Sequence, residues 1–198
     1  MSVDRLGPGL AADRAVAAGG TRGNAAGETV SDGLGTVGGT ELRGVLRAHA
    51  TGVAVLTAAD RDGPMGVTLT SFTSVSAGPA LVSVTLADTS TTWVRIKDCD
   101  WFGIQILGAH QVDLARRFAG PRDRFAPPTL WQPGPHGVPL LDDCLSWLVC
   151  SPYRQLRLGD HHLLVGAVET VRHGAPGDSL VHLHGDLRPV TAPAPSRT

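Results

Sequence analysis

The sequence predicts a mainly β protein whose strands form a closed or nearly closed antiparallel barrel with a few short helices. Seven short runs rich in β-branched and other apolar residues are separated by segments that contain glycine and proline. Three short stretches have helical periodicity, and many short strands with few helices are typical of barrels. No Gly-x-Gly-x-x-Gly motif begins a βα unit, which argues against a Rossmann dinucleotide site.

Three short helices are predicted where apolar residues recur three and four positions apart, at residues 41–49, 92–98 and 111–118. In the first of these, Leu42, Val45 and Leu46 lie on one face. In the third, Leu114 and Phe118 share a face in the same way. Most of the remaining sequence between about residues 50 and 190 has the shorter apolar runs of strands.

The predicted strands cover residues 52–57, 66–76, 80–87, 101–107, 145–157, 162–172 and 180–184. The second strand carries six hydroxyl side chains and one phenylalanine between Gly66 and Ser76. It is too polar for a core strand and too rich in β-branched residues for a flexible linker. Hydroxyl and backbone N–H groups in this pattern can bind a polar, flat or anionic ligand. On residue types alone, a solvated sheet face is an equally good interpretation.

The sequence predicts one folded domain, residues 40–190, between two disordered segments. Residues 1–39 contain ten glycines and no aromatic residue, and residues 191–198 are mostly small residues and proline. Neither segment can bury enough apolar surface to offset the entropy of ordering it. Within the domain, the proline-rich connection 121–144 is long, and long ordered loops tend to be functional. We expect it to cover a site or a subunit contact.

Composition and charge argue against several classes of function. The formal net charge of −1 disfavours nucleic acid or an anionic membrane as the main partner, since either usually needs a basic excess. No apolar run approaches the roughly 18 to 20 residues that span a bilayer. The N-terminal region lacks the apolar core of a secretory signal. The three cysteines form no Cys-x-x-Cys pair, and their odd number favours a reducing cytoplasm.

A metal site is a competing interpretation of the histidines. His182 and His184 lie on one face of a predicted strand, an arrangement that can chelate an ion. No third ligand lies at a supporting spacing, and two histidines alone rarely hold zinc. We therefore expect no metal.

Several motifs occur in the same order as in a known family. The segment Gly66–Ser76 matches G-[MV]-T-x-[SN]-S-F-x-S-V-S, with Thr70 in place of the usual serine or asparagine. Leu114–Gly120 matches L-A-x-x-F-A/S-G, and Gly159–Gly166 matches G-D-H-x-[LI]-x-x-G. With other matches from residue 42 onward, these motifs extend over about 150 residues. In them the sequence resembles the flavin reductase-like family, the FMN-binding split β-barrels, antiparallel and Greek-key-like, that supply reduced flavin to two-component monooxygenases.

The resemblance implies a binding site for FMN or FAD. The residues implied for the flavin ring and ribityl chain are Thr68, Leu69, Thr70 and Ser71. Those implied for the ribityl chain and the phosphate are Ser74, Val75, Ser76, Ser90 and Thr91. Arg117 is a further candidate for the phosphate, although a solvated helix end is an equally good interpretation. Ser90 has plain N-capping of the helix as its alternative, and capping and anion binding can coexist.

The resemblance also implies that the Gly-Asp-His motif binds NADH or NADPH. His161 is the implied catalytic residue, in contact with the nicotinamide or its ribose, and Asp160 precedes it. A neutral imidazole can make this contact by hydrogen bonding. From the residues alone, the alternative is a hairpin turn in which Asp160 caps and one histidine is solvated. We expect His162 to point to the other face of its strand and to be structural.

The implied function is that of an NAD(P)H:flavin oxidoreductase, which transfers hydride from NADH to FMN or FAD and supplies reduced flavin to a partner monooxygenase. The family further implies a homodimer. Hydride transfer needs no protein acid or base at the hydride itself, because the cofactors carry the chemistry. The alternative is a non-catalytic module that holds a flavin or another planar ligand. Leu187 stands where the family often has an aromatic residue, which weakens the match near the flavin ring.

Overall fold

A computed structural model describes residues 37–121 and 123–190. The predicted disordered segments lie outside the described residues, apart from 37–39, of which Gly39 is already helical. Over the described ranges, antiparallel strands make up most of the regular structure and the helices are short. This is the mainly β architecture that the alternating and apolar runs predict.

The helices are Gly39–Leu46 (α1), Thr91–Ile96 (α2) and Val112–Ala119 (α3). The first ends three residues earlier than predicted because the chain turns there towards a second sheet: the Arg47 carbonyl accepts from the His184 N–H at 2.8 Å. At the start of α2, the Ser90 hydroxyl accepts from the Trp93 N–H at 3.3 Å. Ser90 is therefore an N-cap, as its alternative interpretation has it.

The strands are Thr51–Gly52 (β1), Ala54–Asp60 (β2), Gly63–Leu69 (β3), Thr73–Ala77 (β4), Ala80–Ala87 (β5), Phe102–Ile106 (β6), Trp131–Pro133 (β7), Pro139–Leu141 (β8), Ser146–Leu158 (β9), His161–His173 (β10), Ser179–Leu183 (β11) and Asp186–Val190 (β12). Each of the predicted strand regions contains a strand. The sequence patterns missed β7, β8 and β12. The prediction of a single strand over residues 66–76 was wrong, because that run forms the end of β3 and most of β4.

The main sheet has seven strands in the order β3-β2-β6-β9-β10-β5-β4. Strands β3 and β4 follow each other in the chain but occupy opposite edges of this sheet, and the connection between them is residues 70–72. A linker of this length spans at most about 14 Å, so the two edges must approach each other. The sheet therefore curls into a barrel that is split between β3 and β4, where no ladder pairs them.

Ser71 fastens the connection between β3 and β4 to strand β5. Its hydroxyl donates to the Thr85 carbonyl at 3.1 Å and accepts from the Thr85 N–H at 3.0 Å. Strand β4 pairs with β5 only as far as Ser83, so the Ser71 side chain continues the bonding of β5 beyond the end of β4. A period-two sequence pattern cannot reveal this change of edge, since alternation continues across it.

A second sheet, in the order β1-β11-β12, packs beside the barrel. Strands β11 and β12 are joined by the two-residue turn His184–Gly185, in which both residues have positive φ (57° and 86°). This is the conformation of a type I′ hairpin turn, and glycine at the second position relieves its strain. His184 thus lies in a turn, and the expectation that it shares a strand face with His182 was wrong.

The core has two parts that meet at β2. Leu56, on one face of β2, belongs to the barrel interior with Ile104 and Leu164. Val55, on the other face, belongs to a cluster under α3 and the second sheet that includes Phe118. Both β2 side chains are fully buried, so this strand is covered on both faces.

Close packing of α3 on the barrel depends on Gly66. A Cβ atom at this position would lie 2.8 Å from the Leu56 carbonyl oxygen and 2.9 Å from the Phe118 ring. Such distances are below van der Waals contact, so a larger residue would push α3 away from β3.

The long connection 121–144 is anchored by aromatic residues where the structure describes it. Phe125 packs edge-on against Phe118 of α3 at 5.1 Å between ring centroids and against Trp131 of β7 at 5.4 Å. These contacts place the start of the segment over β3 and α3. Within the described ranges, the helices are too short and too polar for any of them to cross a bilayer.

Candidate active site

A cleft of about 400 Å³ opens where β3, α2 and the segment after α3 meet. Its walls come from Pro64 to Gly66, from the first residues of α2, and from Pro121 and residues 123–126. Thr91, one of the predicted phosphate ligands, lines this cleft next to Thr92. The Thr92 hydroxyl faces the Gly66 carbonyl at 3.5 Å, which ties α2 to β3.

Arg124 lines this cleft, and its side chain is partly buried. Its guanidinium donates to the Gly66 carbonyl, to the Thr92 hydroxyl at 3.1 Å and to the Gly120 carbonyl at 2.8 Å. Burial lowers the pKa of Arg124, but a guanidinium stays charged at neutral pH. The acceptors named here are uncharged, so its positive charge is available to an anion in the cleft.

Arg95, on the other wall of the cleft, is already paired. Its guanidinium donates to the Asp60 carboxylate, with Nε 2.8 Å from Oδ2, and to the Gly63 carbonyl at 2.9 Å. The same contact lowers the pKa of Asp60 from its ordinary 3.8 to about 2. The carboxylate of Asp60 therefore neutralises Arg95 locally, and Arg124 is the better phosphate ligand of the two.

Arg117, the arginine chosen from the sequence, does not line the cleft. One guanidinium nitrogen lies 3.5 Å from the Asp123 carbonyl oxygen, at the surface. In the sequence, Arg124 is one of four arginines between residues 116 and 124, and no family motif contains it. The neighbouring Phe125 packs against Phe118, which fixes the chain next to Arg124, and that contact has no sequence signature.

The residues predicted to meet the flavin ring lie at the other end of β3. Thr70 and Ser71 line a groove of about 360 Å³ together with residues 49–52. Gly66 and Thr70 are about 13 Å apart along an extended strand, so β3 connects the cleft to this groove. The Thr68 hydroxyl donates to the Ala115 carbonyl at 2.7 Å, and Leu69 is buried. Thr68 and Leu69 can therefore offer mainly backbone groups to a ligand, whereas Thr70 is exposed.

The predicted residues on β4 are at an open edge of the sheet. Val75 is a bulge, because Ser74 pairs with Val82 and Ser76 pairs with the adjacent Leu81. Bulges turn side chains away from regular alternation and recur near functional sites. Val75 is 53% exposed and Ser74 is exposed, so both are accessible from solvent.

Asp160 and His161 lie at the tip of the β9–β10 hairpin. The strands are joined by the two-residue turn Gly159–Asp160, with Gly159 at a φ of 61°. His161 Nδ1 is 2.7 Å from Asp160 Oδ1, and this contact lowers the pKa of Asp160. The imidazole is 47% exposed, and the neighbouring carboxylate fixes its orientation. The hairpin turn is present and His161 is partly exposed beside it, and the contact of His161 with a nicotinamide stays a prediction.

The sheet register brings Ser71 and His161 near each other. His161 pairs with Ala87 on β5, and Ser71 bonds to the backbone of Thr85 on the opposite edge of the same strand. Ser71 and His161 are thus separated by two residues along β5 and by two strand spacings across it, which corresponds to a distance of about 12 Å. The predicted flavin loop and the predicted nicotinamide residue thus flank one strand, whose end leads directly to Ser90 and α2.

The chain is similar to known proteins over most of its length. Residues 46–191 match the family described as flavin reductase like domain. Over 132 residues the chain is 41% identical to an NADH:FMN oxidoreductase of Rhodococcus qingshengii, which covers 66% of this chain and 69% of the relative. It is 40% identical over 131 residues to the reductase component of a flavin-dependent trigonelline monooxygenase of Acinetobacter baylyi, covering 65% of this chain and 42% of that protein.

A solved structure is similar over most of the fold. The NADH:FAD oxidoreductase of Streptomyces globisporus, in complex with NAD and FAD fragments, superposes with a TM-score of 0.72 at 30% sequence identity. The superposition covers 80% of this chain and 94% of that one. The predicted fold class, a split β-barrel, and the predicted family are confirmed by these matches. The chain belongs to the flavin reductase-like family.

Proposed function

We propose that the protein transfers a hydride from NADH to FMN or FAD and releases the reduced flavin to a separate monooxygenase. The net reaction consumes NADH, a proton and oxidised flavin and yields NAD⁺ and the dihydroflavin. Relatives described as NADH:FMN oxidoreductase and as reductase components of monooxygenases support this activity. The observation that carries it is the register that places Ser71 and His161 on either side of β5.

The proposed work of the protein is to bind and align two flat rings. The flavin, when bound, accepts the hydride, so no side chain has to act as acid or base at that atom. The loop at Thr70 and Ser71 binds the ring edge, and His161 positions the nicotinamide over it. Correct orientation of two reactants can supply much of the rate enhancement of such a reaction.

The phosphate of the flavin fits the cleft at the start of α2. Arg124 supplies a charge there, and the hydroxyls of Thr91 and Thr92 supply hydrogen bonds. Asp123 also lines the cleft, so the geometry favours an anion held close to Arg124 on the α2 side. Ser90 continues to cap α2 and needs no second role in this arrangement.

The proposed assembly is a homodimer in the cytoplasm. On the sheet face away from the barrel core, Leu156 and Leu158 of β9 are 38% and 53% exposed, and they pair with Leu163 and His161 of β10. An apolar patch of this kind is typical of subunit contacts. The three cysteines are free thiols, which fits a reducing compartment.

The test is oxidation of NADH by the purified protein, followed by absorbance with FMN, FAD or riboflavin added. We expect turnover above the flavin-only blank with at least one of them, and faster turnover with NADH than with NADPH. Binding of flavin without any nicotinamide oxidation would instead identify a non-catalytic flavin-binding module.

A further inference from the structure

The outer half of the β9–β10 hairpin is paired on one side only, where β10 runs beside β5 from His161 to Ala167. Strand β6 pairs with β9 only from Ser146 to Cys150, so the remainder of β9 lacks that neighbour. The tip that carries His161 lies at the far end of this unsupported half. The position of the tip relative to the rest of the site is therefore set by the pairing of β10 with β5 and by side chains that contact α2 or the residues just before it.

Asp88, the residue after β5, makes contacts with both strands of the hairpin. Its Oδ2 accepts from Nη2 of Arg157 on β9 at 2.7 Å, and its buried Oδ1 lies 2.7 Å from Nε2 of His162 on β10 without the alignment of a hydrogen bond. Its backbone N–H donates to the Asp160 carbonyl in the turn at 2.9 Å. The Arg157 contact lowers the pKa of Asp88, so the carboxylate is ionised at neutral pH.

The same group of side chains reaches the helix beside the phosphate cleft. The His162 ring stacks on Trp93 of α2, with 4.2 Å between centroids and 17° between planes. Trp93 is buried, and its N–H is the donor that Ser90 caps. The Asp88 carboxylate therefore connects the hairpin tip to α2 from the face opposite to His161.

We propose that Asp88 is a positioning residue for nicotinamide binding: by holding Arg157 and His162, it fixes the Gly159–Asp160 turn so that His161 points at its substrate. The inference rests on the proposed role of His161. His162, which the sequence assigned a structural role, acts here through Asp88 and Trp93 rather than by touching a substrate.

The experiment compares Asp88→Asn, His161→Ala and the double variant in steady-state NADH oxidation. Asparagine keeps the size of the side chain and removes its charge. We expect Asp88→Asn to raise KM for NADH about fivefold with little change in kcat and with flavin affinity within about twofold of the unchanged protein. In the His161→Ala background, the same substitution should have no further effect on KM, because Asp88 acts through His161.

Asp113→Asn is the matched control, since Asp113 is fully exposed on α3. Arg157→Gln removes the contact between β9 and Asp88 at an exposed site, and it should raise KM for NADH about twofold. If Asp88→Asn does not fold, Arg157→Gln tests the role of Asp88 instead. An unchanged KM for NADH in Arg157→Gln then overturns the proposal.

The outcomes separate the two levels of inference. Equal effects of Asp88→Asn with and without His161, or a loss of flavin affinity instead of NADH affinity, overturn the role of Asp88 and leave the proposed function standing. A silent His161→Ala removes the nicotinamide role of His161 and the role of Asp88 with it.

Discussion

At the scale of single residues, Arg124 has two consequences for the site. It bonds to the Gly66 carbonyl, which fixes the segment after α3 against β3, and it keeps a charge inside the cleft. A substitution therefore has a structural effect and an electrostatic effect. Ligands with and without a phosphate separate them, because only the electrostatic effect depends on the phosphate.

We predict that Arg124→Gln weakens FMN binding about tenfold and riboflavin binding by less than about twofold, since a hydrogen bond to a charged group is worth roughly 1.5 to 3 kcal/mol. Titration followed by flavin fluorescence measures both affinities. Arg117→Gln, outside the cleft, is the control and should change neither. Equal weakening of FMN and riboflavin would mean that Arg124 only supports the fold of the cleft.

A sequence motif identifies a residue through its neighbours along the chain. The family motifs therefore find only those site residues that lie inside a matching segment. Ser71 and His161 lie within matched motifs, and the structure places them on opposite sides of strand β5. Arg124 lies outside these motifs and reaches the cleft because Phe125 packs between Phe118 and Trp131. Asp88 gains its contacts from residues about 70 positions later in the chain. Such contacts depend on register and packing, which no local pattern contains.

At the scale of elements, the pair of Asp60 and Arg95 joins the end of β2 to α2. The pKa of Asp60 is about 2 in the folded protein and 3.8 ordinarily, so folding favours its ionised form. A carboxyl whose pKa is depressed by folding contributes stability above its unfolded pKa, and this contribution is lost as the pH falls through the folded pKa.

We predict that Asp60→Asn lowers the midpoint of urea unfolding at pH 6 and that the difference from the unchanged protein shrinks between about pH 4 and pH 2. Unfolding curves followed by tryptophan fluorescence at several pH values give this difference. The exposed pair of Asp113 and Arg116 provides the comparison, and Asp113→Asn should show little difference at any pH. If the difference in unfolding midpoint between Asp60→Asn and the unchanged protein stays constant down to pH 2, the pair of Asp60 and Arg95 does not cause it.

The elements that the sequence predicted well are those bounded by turn residues. Strands β5, β9 and β10 are within one residue of their predicted ends, because turn residues such as Gly78, Gly159 and Gly174 bound them. The hydroxyl-rich run was misread as one strand, since alternation cannot show that residues 70–72 carry the chain to the opposite edge of the sheet. Strand β12 was missed because charged and proline residues dilute its pattern.

At the scale of the whole molecule, the outer face of the hairpin is the surface that we propose for the contact between two copies. Leu156 and Leu158 are exposed there beside His161, so the proposed interface adjoins the proposed nicotinamide site. Burial of two leucines at the centre of such an interface makes them sensitive to charge.

We predict a sedimentation mass of about twice 20.6 kDa at micromolar concentration and a monomer for Leu158→Arg. NADH oxidation should fall in the monomeric variant because the interface borders His161. Val171→Arg, which places the same charge at an exposed position near the far end of β10, should remain dimeric and active. A fully active 20.6 kDa monomer of the unchanged protein would contradict the proposed assembly.

The unsupported half of β9 also has a consequence for solubility. From Ser151 to Leu158 no strand in the described part of the chain pairs with it on the side of β6, so its backbone groups form an open edge. Such edges recruit foreign strands and start aggregation. Pro152 has no N–H to offer, the register slips beside it, and two arginines follow. Each of these features discourages another chain from adding to the edge, so the open edge beside the proposed subunit contact does not become a template for fibrils.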